Sequence, residues 1–338
     1  MCVTEQRIEP KQICEGRLVT ARSFLIDRIF PQCETVILPE ITLLSGTLRL
    51  ESGPVRLTPQ KKRRLSKFLP SADRQVPEGR WAFDMRRNNP ENWAHFLNDH
   101  LPLFFHAADV TGRDPLKALL LLPSDVPAYI SDVAAMFGLE VWATDAVVEG
   151  EGVDCSLTPE ISNRSARVDW ARLAFPRAVL DGLLAAPGSA DLPKKAFITR
   201  KKQRALSNQP EIEAYLAARG FVAIRPETLS PADQFRLFLN AEEIVAVSGA
   251  ALAPLLYTEP PARGPSRVIE LQPCGHMSSV YREVATLVGS RWGGVRGRLR
   301  PEYIGPAYAF DTPFRKFSQD AFEVDPVSLE MVFDMTAG

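Results

Sequence analysis

Cysteine is scarce and shows no pairing pattern. The five residues Cys2, Cys14, Cys33, Cys155 and Cys274 are odd in number, scattered, and never form a C-x-x-C pair. That argues against a disulfide framework or a zinc knuckle and fits a reducing compartment. Long hydrophobic runs are missing too: "ALLLLP" is far too short to cross a bilayer. The opening "MCVTEQRIEP" lacks the apolar core of a signal peptide. The expectation is a cytosolic protein. Neither sign of charge dominates, and a net charge of -1 gives no global argument for a nucleic-acid partner. Any anion must therefore be met locally. Walker A, G-x-G-x-x-G, G-x-S-x-G and H-E-x-x-H sequences are absent, and so is any D-x-D pair. No metal site and no bound cofactor are expected.

What is present begins with length. At 338 residues the chain is long enough for two domains. Residues 1 to 80 read as strand-rich and irregular, interrupted by the basic run "KKRRLSKF" at 61 to 68. Residues 92 to 110 read as a helix that Pro102 should kink or break. A β-α-β unit follows in "KALLLLPSD", "VPAYISDVAAMFG" and "LEVWAT", and a further helix covers roughly 169 to 184. The Pro-, Gly- and Ser-bearing segment "AAPGSADLPKK" (185 to 195) marks a domain boundary.

Beyond it the alternation is regular. "KAFIT", "FVAIR", "EIVAV" and "RVIELQ" read as buried strands. Between them lie a helix opened by Asn208 with Glu211 as a capping box, one capped by Ser230 with Pro231 following, and "GAALAPLLY". This grammar predicts a parallel sheet with helices on both faces. A last helix is expected from Asp325, with Pro326 at its first position.

Ligands bind beyond the carboxyl ends of such strands. Two segments meet there: "TRKKQR" with Arg200, Lys201, Lys202 and Arg204, and "SGAA" with Ser248, Gly249, Ala250 and Ala251. Guanidinium forks beside free helix-terminal amides suit a pyrophosphate. Close packing of a small-residue turn and a solvated basic loop are the plainer readings of the two segments taken singly. Glu270, near the end of its strand, is placed either to accept hydrogen bonds from a ribose or to pair with an arginine.

A second constellation lies in "NPENWAHFLNDHLPLFFHA". His95 and Asp99 are four apart and share a helix face, with Asn92 on the same side. Such a pair can orient an imidazole as a base, or simply be structural. His100 and His106 are read as ordinary surface residues.

Together these constellations resemble glycosyltransferase family 61 over about residues 88 to 290. The family's helix pattern N-x-x-H-x-x-x-[DE] followed by Leu-Pro is met by Asn92, His95, Asp99, Leu101 and Pro102. Its basic segment is met by Thr199, Arg200, Arg204 and Asn208, with Gln209 in place of the acidic residue. Its H-G-A-x-L motif is met by Gly249, Ala250 and Leu252, but Ser248 replaces the histidine. "VIEL" is met by Val268, Ile269, Glu270 and Leu271.

The resemblance implies an α/β GT-B fold, with two facing Rossmann-like domains of parallel sheets. The expected division is 1–185 on the acceptor side, 186–290 holding the donor, and a 291–338 tail returning to the first domain. It implies an inverting, metal-independent transfer from a nucleotide sugar, usually UDP-linked, to a hydroxyl of a glycan or glycolipid in surface polysaccharide biosynthesis. Arg200, Arg204, Asn208, Ser248, Gly249, Ala250, Ala251 and Glu270 would hold the donor. His95 or Asp99 would be the catalytic base, with Asn92 beside the acceptor. The rival is a non-catalytic carbohydrate- or nucleotide-binding protein on the same fold, for which Ser248 is the evidence. The basic clusters at 61–68 and "RWGGVRGRLR" (291 to 300) raise the further expectation of peripheral contact with an anionic membrane.

Overall fold

The computed structural model describes residues 2–22, 33–43, 46–59, 73–157, 168–171, 177–187, 192–275, 278–299 and 317–337. The chain divides into two units, Met1–Lys11 with Thr42–Gly182, and Gln12–Ile41 with Leu183–Gly338. The break after Gly182 falls close to the expected one. The division otherwise differs from expectation, because residues 12–41 and the C-terminal tail both belong to the second unit. The expected basic cluster "KKRRLSKF" lies outside the described residues.

In the first unit a seven-stranded sheet runs in the order Cys2–Ile8, Gly46–Leu57, Val148–Leu157, Trp81–Asp84, Ala118–Leu122, Glu140–Ala143, with Arg74–Gln75 added on Val148–Leu157. Trp81–Asp84, Ala118–Leu122 and Glu140–Ala143 are mutually parallel neighbours, while Gly46–Leu57 pairs antiparallel on both sides. The expected β-α-β unit is present, with helix Ala128–Met136 as its crossover. All five residues of "ALLLL" are buried, as a strand covered on both faces requires.

The long helix after Trp81–Asp84 is not broken at Pro102. Trp93–His95 is α-helical, Phe96–His100 is a π turn, and Leu101–Val110 is α-helical again. Proline has no amide to give and its ring crowds the carbonyl four residues back. The widened turn absorbs that conflict, with Leu101 N–H bonding to Phe96 O, five residues back. His100 and His106, expected at the surface, are buried. His106 stacks on Trp170 with ring centroids 5.1 Å apart and bonds through Nε2 to Gln6 Oε1.

The second unit holds a seven-stranded sheet in the order Val222–Ile224, Lys195–Ile198, Glu243–Val247, Arg267–Gln272, Arg291–Arg296, Gly16–Thr20, Glu34–Leu38. Every pairing is parallel except the last. Two of these strands come from the N-terminal segment. The edge left by Arg291–Arg296 is completed by Gly16–Thr20, and helix Pro326–Met335 packs on both. The tail thus meets N-terminal residues, but inside the second unit.

Phe197, Val245, Val247, Ile269, Leu271 and Val295 form one core with Ile212, Leu216, Leu329 and Val332 from the covering helices. Strand side chains alternate, so the intervening residues face the other side. "RWGGVR" is a strand despite its two glycines. A methyl at Gly293 would collide with Val332 and Thr336, so glycine is what lets helix Pro326–Met335 lie against the sheet.

Helix ends follow the expected chemistry in two cases and depart from it in two. Ser230 Oγ accepts from Asp233 N–H at 3.1 Å, and Asp325 forms a full capping box with Ser328. Asn208 makes no cap bond; its Nδ2 donates instead to Glu211 Oε2 and Val324 O. "AALAPLLY" is a 3₁₀ turn, Ala250–Tyr257, because Pro254 crowds the carbonyl of Ala250 in an α-helix. The helix expected at 169 to 184 is described as Arg177–Ala185, with residues 172–176 outside the described set. All five cysteines are free. Among the described residues no helix is long and apolar enough to cross a membrane. The fold is α/β, with mixed, mostly parallel sheets compatible with Rossmann-like folds.

Candidate functional site

The second sheet gathers a cationic rim. Lys195–Ile198 and Glu243–Val247 are adjacent and parallel, so the loops leaving Ile198 and Val247 emerge side by side. Arg200 Nη1 donates to Ser248 O at 3.2 Å across that junction. Gly249 permits the approach: a Cβ there would collide with the Arg200 guanidinium. The first bond of the following turn runs from Leu252 N–H to Gly249 O. The amides of Gly249, Ala250 and Ala251 thus stand ahead of the helical ladder, beside Arg200.

Arg204 sits in the left-handed region at φ 60°, a conformation non-glycine residues seldom adopt. It is held there by its amide on Gln319 O at 2.9 Å and its Nε on Ser318 O at 3.1 Å. Burial lowers the pKa of both arginines from the ordinary value. Tyr281 opposes this at both, with Glu227 at Arg200 and Glu270 at Arg204, while Arg200 itself lowers Arg204 further. Both stay cationic at neutral pH. Strain and concentrated like charge in one loop are features of ligand sites rather than of scaffolding.

Glu270 lies beneath the rim with no exposed surface, and accepts from Trp292 Nε1 at 3.1 Å. Burial pushes its pKa up, opposed by hydrogen bonds from Ser248, Gln272 and Trp292 and by Arg204's charge. A carboxylate with no accessible surface does not fit the ribose contact expected of it; it supports Ser248 and Trp292 from below. The Asn208 amide ties the end of the basic loop to Val324 O at 2.7 Å. Arg200, Ser248, Gly249, Ala250 and Ala251 are brought together, with Arg204 in electrostatic reach.

In the first unit, His95 stands at the start of the helix that follows Trp81–Asp84, on the carboxyl side of the parallel strands. His95 Nδ1 and Asp99 Oδ2 are 2.6 Å apart, the imidazole 44% exposed and the carboxylate 13%. The π turn carries Asp99, and such turns recur at functional sites. With Nδ1 on the carboxylate, Nε2 is the ring nitrogen left for a hydroxyl. Asn92 is the helix cap, its Oδ1 accepting from Ala94 N–H at 2.9 Å. It therefore fixes the turn that presents His95. The preceding loop holds Asn88 and Asn89 at positive φ, 58° and 53°.

A family model described as Glycosyltransferase 61 matches residues 93–264, more than half of the chain. The chain belongs to the glycosyltransferase 61 family. The match spans His95, Asp99, Arg200, Arg204 and Ser248 to Ala251. A search of curated proteins gives no match. As a glycosyltransferase the protein binds a sugar donor and an acceptor. Sequence reasoning missed Tyr281 beside the two arginines, and Ser318 and Gln319, whose carbonyls hold Arg204. Nothing in the local sequence marks those contacts; pairing of Leu206 with Phe322 brings the tail there.

The segment "RWGGVRGRLR" is not the solvated basic cluster expected. Trp292 to Gly297 are buried in the sheet, and Arg298 pairs with Glu323 at 3.8 Å. Arg291, at the start of the segment, is exposed.

Proposed function

We propose that this glycosyltransferase is an inverting, metal-independent enzyme of GT-B type, moving a sugar from a UDP-sugar to a hydroxyl of a glycan or glycolipid in surface polysaccharide biosynthesis, in the cytosol. The observation that carries it is the junction of Arg200 with Ser248 O over Gly249, which concentrates guanidinium and amide donors at one parallel-sheet rim. Arg200 and Arg204 take the charge of the leaving diphosphate, and the amides of residues 249–251 meet its oxygens. The acceptor oxygen attacks the anomeric carbon opposite the diphosphate. Its proton passes to His95 Nε2, with Asp99 steadying the imidazolium, or to Asp99 directly. Charge held by arginines makes a divalent ion unnecessary in this reading.

Ser248 favours a second reading, a non-catalytic nucleotide- or carbohydrate-binding protein, since the family motif has histidine there. The test is a thermal-shift screen of nucleotide sugars followed by hydrolysis and transfer assays with and without EDTA. Ligand at a hundred times its dissociation constant raises stability by about 2.7 kcal/mol. Binding with turnover that survives EDTA supports the transferase; binding without turnover supports the second reading. Activity abolished by EDTA and restored by a divalent ion refutes the arginine-based site.

A further inference from the structure

We propose that Arg296 is a third cation of the donor site, holding an oxyanion of the nucleotide sugar, an inference that rests on the donor reading above. Arg296 ends its strand in register with Gln272, the last residue of the neighbouring strand, so it stands at the same carboxyl rim. One strand separates it from Glu243–Val247, which delivers Ser248. Two interstrand spacings are about 10 Å, within the combined reach of two arginine side chains, and the Arg296 guanidinium extends to Cys274 beyond the end of the intervening strand.

Its surroundings do not account for its charge. The residue is 8% exposed. Among the described residues its one hydrogen bond runs from Nη2 to Cys274 Sγ at 3.5 Å, its Nε meets no acceptor, and no carboxylate lies within ion-pair range. The Cys274 thiol is pushed up by burial, so it stays neutral and offers no counter-charge.

Other buried arginines show how this chain satisfies such a group. Arg86 pairs with Asp84 at 2.8 Å and donates to Leu57 O and Ala146 O. Arg282 donates to Cys14 O and Pro39 O, and the half-buried Arg267 pairs with Glu243. Among the described residues Arg296 has neither carboxylate nor carbonyl. A guanidinium taken out of water without a partner is costly, and the cost falls when an anion arrives. Arg200 and Arg204, at the same rim, likewise form no ion pair among the described residues. Three arginines on one sheet edge, none in an ion pair among the described residues, match a ligand with more than one anionic group. Phosphate and a sugar carboxylate are both oxyanions that a guanidinium fork recognises.

The experiment is calorimetric titration of wild type, Arg296→Met and Arg296→Lys with UDP, uridine and UDP-glucuronic acid, alongside melting curves of the free proteins. In Arg296→Met, UDP should bind about tenfold weaker or more, the loss of one charge-assisted bond, with uridine unchanged. Its free protein should melt no lower than wild type, because an apolar chain replaces a lone buried charge. Arg296→Lys should lie between. A loss confined to the carboxylate-dependent gain of UDP-glucuronic acid over UDP also supports the inference and assigns the sugar as the source of the anion. Unchanged affinity for both nucleotides overturns it, as does a lowered melting temperature with equal losses for uridine and UDP. If wild type binds none of the three, the donor reading itself falls and the inference with it.

Discussion

Replacing Gly249 with alanine tests the donor rim through one methyl group. That methyl would meet Arg200 Nη1, the atom that donates to Ser248 O at 3.2 Å. The obstructing atom is the end of a flexible side chain, so the guanidinium swings aside, while alanine at φ 159° also strains the backbone, a cost to stability shared by both Gly249→Ala proteins. A charge-assisted hydrogen bond is worth about 1.5–3 kcal/mol, which sets the loss for Arg200→Ala. Displacing the group leaves part of its long-range attraction, so Gly249→Ala should lose about half as much, roughly 0.8–1.5 kcal/mol or about four- to twelvefold in UDP affinity. The two changes act on one interaction and should not add: Arg200→Ala combined with Gly249→Ala should bind UDP no more weakly than Arg200→Ala alone. Calorimetry on the four proteins, below their melting temperatures, completes the cycle. Wild-type affinity in Gly249→Ala, or a double variant that loses the full sum, would show that Arg200 is not what glycine makes room for.

His95→Ala and Asp99→Asn should each lower kcat about 10²-fold or more while UDP affinity stays within twofold of wild type; normal turnover in both would make the pair structural. His106 is held neutral, since burial lowers its pKa while Asp109 only partly opposes. The unfolded chain takes up that proton near pH 6.5, so the contribution to stability is complete above that pH and is lost as pH falls from there toward the lower folded value. His106→Phe, which keeps an aromatic face against Trp170, should flatten the decline in melting temperature below pH ~6.5; an unchanged profile rejects the assignment. Asp325→Ala removes the acceptor of Ser328 N–H at 2.9 Å and Arg22 N–H at 3.0 Å, and should cost about 2 kcal/mol in urea unfolding. A midpoint unchanged from wild type would mean the tail helix contributes little.

Sequence alone determined what local forces decide. Each element between Lys195 and Gln272 carries its own signal: short β-branched strands, Ser230 as a cap, Pro231 at a helix start. Their regular alternation required a parallel sheet, and a parallel sheet required a ligand rim where Arg200 and Ser248 are found. The spacing of His95 and Asp99 likewise set their contact, because residues four apart share a helix face whatever lies around it. Tertiary structure decided what depends on distant partners. "GRLVT" has no preference for one sheet over another; it joined the second because the Arg291–Arg296 edge was open to it. "RWGGVR" reads as part of a basic cluster, and becomes a buried strand once helix Pro326–Met335 lies on its glycines. The burial of His106 and Glu270, and the isolation of the Arg296 charge, come from desolvation by residues far along the chain, which leaves no mark in the neighbouring sequence.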